Sequence, residues 1–284
     1  MVNKCKPDWN ELEWAVFLFN TMGEDNLYFV DLYKVQKAMD NGTPGEAIVD
    51  FLNHWSMRAT KKPLARAIDK WYTDEVARKL KYLPETLIEA DLVDKKVIKI
   101  IIDLYCDLDG LKGIGEFTAA EGDDFQLKEK HHYTVMRDTG ASKILHILKP
   151  GLFVMWDNPI RIYYMGSSKK NNGSEAYFSF LTKMQEIAKC LRNHNGDIFK
   201  KLFSNITVPL EKQLGNAIRK QENIQDKDKM KFVEENEKTI TEFINDKYSN
   251  DKYIDAKFID EYNWIVYTKK ITLPPAWHPS NSTV

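Results

Sequence analysis

The chain of 284 residues has little of what marks the specialised classes of protein. It holds only three cysteines (Cys5, Cys106 and Cys190), and this odd, scattered set argues against a disulfide framework and a four-cysteine zinc or iron–sulfur site. The six histidines show no metal-ligand spacing, so we expect neither a metal nor an organic cofactor. No apolar run approaches the roughly 20 residues of a membrane span, and no apolar signal region follows Met1. We therefore expect an intracellular monomer, cytoplasmic or nucleoid-associated, with no membrane partner.

Apolar residues recur at helical spacing along most of the chain, and no segment shows a strong strand-like alternation. The pattern predicts a mainly α fold. A stripe from Val97 to Tyr105 is expected to form a helix that crosses the core, and Pro84 is expected to open another helix. Further helices are predicted near residues 128–137, 141–149 and 158–165, and the Gly- and Asp-rich residues 107–124 are read mainly as a loop.

We predict three parts in a bilobal arrangement. Residues 1–127 form a helical lobe, residues 128–210 form a second lobe, and residues 211–284 form a charged helical extension. The apolar end of that extension, around Trp264 and Trp277, is expected to pack back on the body.

The distribution of charge is more informative than the net charge of −1. Residues 128–220 carry 16 Lys and Arg against seven Asp and Glu, whereas residues 1–127 carry 16 against 23. A basic region of this kind suits the neutralisation of phosphates. The alternative, that these lysines only solvate helix surfaces, stays open.

The segment from Thr139 to Gly166 carries the main functional signal. Its small residues predict a tight turn, and these residues are Thr139, Gly140, Ala141 and Ser142. The tight turn is expected to open a short helix that carries Lys143 near its start. Lys149-Pro150-Gly151 ends that helix, and an apolar run leads to Asp157. Asn158 and Pro159 follow, which predicts a helix capped by Asp157. This order of small-residue turn, lysine and aspartate resembles the helix-hairpin-helix DNA glycosylases.

The resemblance implies a fold with a helix-hairpin-helix motif in the second lobe, and double-stranded DNA with a damaged or modified base as the partner. Asp157 would be the catalytic carboxylate, and Lys143 would be the nucleophile if the enzyme also has lyase activity. The turn Thr139–Ser142 would present backbone N–H groups to a phosphate, with Arg161 as a further DNA contact. An ordinary N-cap role for Asp157, and phosphate contact or solvation for Lys143, are the alternatives.

A second segment, from Leu111 to Ala119, is also similar to the hairpin of this family. In that interpretation Gly113 and Gly115 form the turn, and Asp138 is the carboxylate. The acidic residues that follow, Glu121 and Asp123 among them, would repel phosphate, so we rank this interpretation second.

A glycosylase must turn its target base out of the duplex into a pocket. The candidate pocket residues are aromatic or basic: Trp55, Arg58, His131, His132, Trp156, Tyr163 and Tyr164. The function we predict is hydrolysis of the N-glycosidic bond of a damaged or modified base, such as a bulky modified cytosine of phage DNA, in repair or phage defence. The alternative is a non-catalytic DNA-binding protein that uses the same motif.

Overall fold

A computed structural model describes residues 7–22, 28–55, 61–109, 111–114, 132–134, 138–166, 173–194, 235, 238–243, 245–246 and 255–273. The described part is mainly helical, which confirms the predicted fold class. Its α-helices are α1 (Trp9–Met22), α2 (Tyr28–Asp40), α3 (Gly45–His54), α4 (Lys61–Trp71), α5 (Ala77–Tyr82), α6 (Lys95–Asp109), α7 (Asp138–Leu148), α8 (Asn158–Met165), α9 (Gly173–His194) and α10 (Asp255–Asn263). Two π-helical segments, Tyr72–Val76 and Trp264–Thr268, continue α4 and α10.

Two short strands accompany the helices. Strand β1 (Lys112–Ile114) pairs antiparallel with β2 (His132–Thr134), and Gly113 lies opposite Tyr133. The helix predicted near residues 128–137 is therefore wrong at His132–Thr134. The helix expected from Pro84 is also wrong, because residues 83–94 form turns and the Leu87 N–H bonds the Gly151 carbonyl at 2.7 Å.

The predicted core stripe lies in α6, where Ile101, Leu104, Tyr105 and Leu108 are buried. Helix α6 packs against α7 and α9. The Tyr105 and Tyr177 rings stack between α6 and α9 with centroids 4.5 Å apart. Large buried rings of this kind supply much of the apolar area that stabilises a core.

Helices α3 and α4 approach each other closely at Gly45. A side chain at this position would collide with the Ala65 carbonyl, 2.1 Å from where a Cβ would stand. The Gly45 N–H donates to Asp69 Oδ1 at 2.6 Å, so a carboxylate of α4 binds the first turn of α3. Glycine is therefore required here by packing.

Helix α10 is buried over its whole length although five of its nine residues are charged or carry an amide. Burial of charge requires partners. Asp255 accepts two hydrogen bonds from Arg192, at 2.7 and 2.8 Å, and Lys257 lies 3.6 Å from Glu261. The Lys257 Nζ also lies 3.8 Å from the centroid of the Tyr28 ring. These pairs let the chain's C-terminal region pack against α1 and α9. The division into three parts stays a prediction.

The two cysteines in the described part of the chain differ in state. Cys190 is disulfide-bonded, whereas Cys106 is free and exposed. One bonded cysteine is compatible with the expectation that the chain has no disulfide framework.

Candidate active site

Asp157 lies where a buried extended run ends and α8 begins. Residues 152–156 are buried, and Asp157 itself is half-buried with extended backbone angles (φ −117°, ψ −177°). Its Oδ1 accepts a hydrogen bond from the Ile160 N–H at 3.0 Å, and Pro159 lies in the first helical turn. The predicted helix start is confirmed, and one carboxylate oxygen of Asp157 serves as the cap.

The second carboxylate oxygen of Asp157 has a different partner. Thr268, at the end of the second π-helical segment, donates its hydroxyl to Asp157 Oδ2 at 2.5 Å. These two residues are 111 positions apart in the chain. The C-terminal region therefore reaches the very carboxylate that the sequence pattern singled out.

Lys143 lies on α7 and is half-buried. Its Nζ lies 5.0 Å from the centroid of the Trp55 ring, which stands at the C-terminal end of α3. Within the described part of the chain the ammonium forms no hydrogen bond and no ion pair. Burial lowers the pKa of Lys143, and the nearby carboxylates of Asp260 and Asp157 oppose that shift without reversing it. At a given pH, the neutral fraction of a lysine is larger in such surroundings than at the protein surface.

Asp260 was not identified from the sequence. It lies on α10 and only 3% of its surface is exposed. Its charge acts on Lys143 and, after burial, is the second cause that raises the pKa of Tyr177. The site therefore contains two carboxylates, one from the start of α8 and one from α10.

A tyrosine cluster adjoins the α8 end of the site. Tyr163 is 58% exposed, and its ring stacks on Tyr267 with centroids 3.9 Å apart and an interplanar angle of 22°. Tyr164 donates its hydroxyl to Asn263 Oδ1 at 2.9 Å. Burial raises the pKa of Tyr164 and of Tyr267, and raises that of Tyr262 to about 12, so these three hydroxyls stay protonated at neutral pH.

Trp156 does not line a pocket. Only 1% of its surface is exposed, and its ring packs edge-on against Tyr177 at 5.2 Å. The indole N–H reaches the Tyr105 hydroxyl at 3.1 Å and the Asp138 carbonyl at 3.2 Å. The prediction that Trp156 stacks on an extruded base is wrong, because its ring is part of the core.

The small residues before Lys143 also lie elsewhere than predicted. Thr139 to Ser142 belong to the first turns of α7, and Gly140, Ala141 and Ser142 are buried. The Ser142 hydroxyl bonds the Thr139 carbonyl at 3.0 Å and the Trp156 carbonyl at 3.1 Å. A phosphate cannot reach these atoms, so the prediction of a DNA-binding turn is wrong for these three residues. Thr139 is half-buried.

Arg161 and Asp138 form an ion pair between α8 and α7. The Arg161 Nη1 contacts Asp138 Oδ2, and its Nη2 donates to Asn158 Oδ1 at 2.9 Å. The two side chains are only 15% and 14% exposed. Arg161 is thus committed to a structural bond, which contradicts its prediction as a DNA contact. Asp138 is equally unsuited to the second hairpin interpretation, in which it would be the free carboxylate.

Some of the other predicted residues lie near Lys143 or on α8. Trp55 lies beside Lys143, and Tyr163 lies on α8. Arg58, His131 and Gly115 lie outside the described residues, and Gly113 and His132 lie in the two paired strands. A strand at Gly113 is not the helix-to-helix turn that the second interpretation requires.

The residues that sequence reasoning missed all belong to the C-terminal region. Asp260, Tyr267 and Thr268 are more than 100 positions from Asp157 and belong to no spacing pattern with it. One signal was available. The apolar run Trp264–Tyr267 predicted that this region packs on the body, but it did not indicate against which residues.

No family model, no curated protein and no solved structure matches this chain. None of the described helices is both long enough and apolar enough to cross a membrane. In the same part of the chain, no three His, Cys, Asp or Glu side chains are grouped as a metal ion would need.

Proposed function

We propose that this protein is a DNA glycosylase that turns a damaged or modified base out of double-stranded DNA and hydrolyses its N-glycosidic bond. Asp157 is the catalytic carboxylate and Lys143 the reactive amine. One observation carries the proposal: Lys143, half-buried and with no ion pair among the described residues, has its pKa lowered by burial beside Asp157 and Asp260. A perturbed amine next to carboxylates in a half-buried site is typical of catalytic groups.

The chemistry follows from the charges that develop during the reaction. When the C1′–N bond breaks, positive charge develops on the sugar, and the carboxylate of Asp157 stabilises that charge. Water then adds its oxygen to C1′, and its proton goes to the departing base. With a neutral Lys143, the amine can attack C1′ instead, lose its proton to the base and form an imine once the sugar ring opens.

The helix-hairpin-helix arrangement enters this proposal in a reduced form. The order of α7, the apolar run to Asp157 and α8 agrees with the resemblance, but buried Gly140, Ala141 and Ser142 cannot serve as the phosphate-binding turn. Contact with DNA is therefore assigned to the more open side chains near Asp157, with Tyr163 as the stacking group for a base. Oxidised purines, alkylated bases and sugar-bearing cytosines all remain candidate substrates, in repair or in phage defence.

Excision from duplexes that carry a panel of lesions and modified bases tests the proposal. The wild-type protein should leave abasic sites in at least one duplex. Asp157→Asn should lower that rate by about 100-fold or more while binding to the same duplex is kept, because asparagine retains the cap but not the charge. Asp94→Asn is the matched control, since Asp94 also bonds first-turn N–H groups, at 2.6 and 3.1 Å, in α6.

One result would decide against the enzyme, and another would decide against the role of Asp157. Salt-dependent DNA binding without excision of any base indicates the second candidate, a non-catalytic DNA-binding protein. Excision that survives in Asp157→Asn at the wild-type rate removes Asp157 from the catalytic role.

A further inference from the structure

The hydrogen bond between Thr268 and Asp157 has no role in capping α8. An N-cap needs one side-chain oxygen, and Asp157 Oδ1 supplies it to the Ile160 N–H. The other oxygen, Oδ2, accepts the Thr268 hydroxyl at 2.5 Å. Both oxygens of the carboxylate are therefore held, and its plane is fixed against rotation about the Cβ–Cγ bond.

Thr268 is itself held firmly in place. The π-helical segment Trp264–Thr268 closes with a bond from the Lys269 N–H to the Trp264 carbonyl at 2.9 Å, and the Ile271 N–H bonds the Ile265 carbonyl at 3.1 Å. The neighbouring Tyr267 stacks on Tyr163 of α8. π-Helical segments in otherwise α-helical chains are often found at functional sites. The segment that carries the Thr268 hydroxyl is therefore packed against α8, the helix that Asp157 caps.

We propose that Thr268 is a positioning residue for Asp157: it orients the carboxylate toward the sugar by holding Oδ2. This inference rests on the proposed glycosylase function. The physical reason is that a small misplacement of a reacting group can lower a rate by about 100-fold even where binding is unchanged. The alternative is that the bond merely ties the C-terminal region to α8.

Single-turnover excision by Thr268 variants distinguishes these roles. Thr268→Val keeps the shape of the side chain but removes the hydroxyl, and it should lower the excision rate by about 10- to 100-fold. The dissociation constant for an uncleaved duplex should stay within about twofold, and Thr268→Ser should restore most of the rate because it restores the donor. Thr182→Val is the control, since among the described residues the hydroxyl of Thr182 bonds only the Phe178 carbonyl of its own helix, at 3.1 Å.

A double mutant links the effect to the carboxylate. If Thr268 acts through Asp157, Thr268→Val should cause no further loss of rate in the Asp157→Asn protein. A loss of the same size in both backgrounds would overturn the inference. So would a fall in melting temperature that accounts for the lost rate and that serine does not relieve.

The failure of this inference differs from the failure of the proposed function. If Asp157→Asn abolishes excision while Thr268→Val keeps the wild-type rate, Thr268 has no positioning role and the glycosylase proposal stands. If the wild-type protein excises no base, the proposed function fails and this inference fails with it.

Discussion

The two lysines of the α7 region show how differently one short segment can use the same side chain. Lys149 is 7% exposed, and its Nζ donates to the Leu80 carbonyl at 3.1 Å and to Glu85 Oε1 at 2.8 Å. Lys143 is half-buried, faces the Trp55 ring, and has no hydrogen bond or ion pair in the described part of the chain. The first side chain has two hydrogen-bond partners, whereas the second is desolvated and lies against an aromatic ring.

The difference shows that burial of a lysine does not define its role. An ion pair with Glu85 and a hydrogen bond to the Leu80 carbonyl compensate the Lys149 ammonium for the water it has lost. Lys143 loses water without such partners, and its pKa falls. The comparison can be tested by substituting each lysine and the side chains around it.

The largest expected effect separates the two lysines directly. Lys143→Met should abolish covalent trapping to DNA by borohydride, because no amine remains to form the imine, and should change the free energy of unfolding by less than about 1 kcal/mol. Lys149→Met should keep the trapping and lose about 1–3 kcal/mol, because the hydrogen bonds that the Lys149 ammonium donates to the Leu80 carbonyl and to Glu85 are removed. Trapping gels and chemical denaturation measure both. Trapping that persists in Lys143→Met would show that another amine is the nucleophile.

The next effect compares two equally exposed tyrosines, one on α8 and one on α5. Tyr163 and Tyr82 are both 58% exposed, but Tyr163 follows Asp157 on α8, whereas Tyr82 lies on α5 two positions after Leu80, the partner of Lys149. Tyr163→Ala should weaken binding to DNA by about 1–3 kcal/mol through the loss of a stacked base. Tyr82→Ala should leave the affinity unchanged. Equal losses in fluorescence anisotropy titrations would contradict the assignment of DNA contact to α8.

The smallest effect concerns the carboxylate that opposes the lowered pKa of Lys143. Asp260 raises the pKa of this amine, so Asp260→Asn should lower it further, and Lys143 should react with an acylating reagent at lower pH. Asp103→Asn should leave the pKa of Lys143 unchanged, because the Asp103 carboxylate pairs with the exposed Lys99 instead. Mass spectrometry of modified peptides gives the pH midpoint, with Lys70 as the comparison because its pKa is raised by Asp74. A wild-type Lys143 that titrates like Lys70 would contradict the assigned environment.

Local patterns predicted much of the α7–α8 region correctly. The predicted helix at 158–165 matches α8. The helix predicted at 141–149 ends within one residue of the observed end of α7. Asp157 and Pro159 mark the start of α8 because capping and proline preferences act within one turn. The small residues of Thr139–Ser142 led to a wrong prediction of a DNA-binding turn, because their local preferences fit more than one structure. They suit a tight turn and also suit close packing of a helix, and only the packing partner decides between the two.

The sequence alone determined that the described part of this chain is mainly helical, where α6 and α8 run, and that Asp157 caps a helix. These properties depend on side-chain spacing and on bonds within a few residues. Only the tertiary structure decided that Trp156 and Arg161 serve the core, and that Asp260 and Thr268 from the C-terminal region face Lys143 and Asp157. Such contacts join residues from different helices, 23 positions apart for Arg161 with Asp138 and 111 for Thr268 with Asp157. They depend on how the helices pack against each other, which no local pattern specifies.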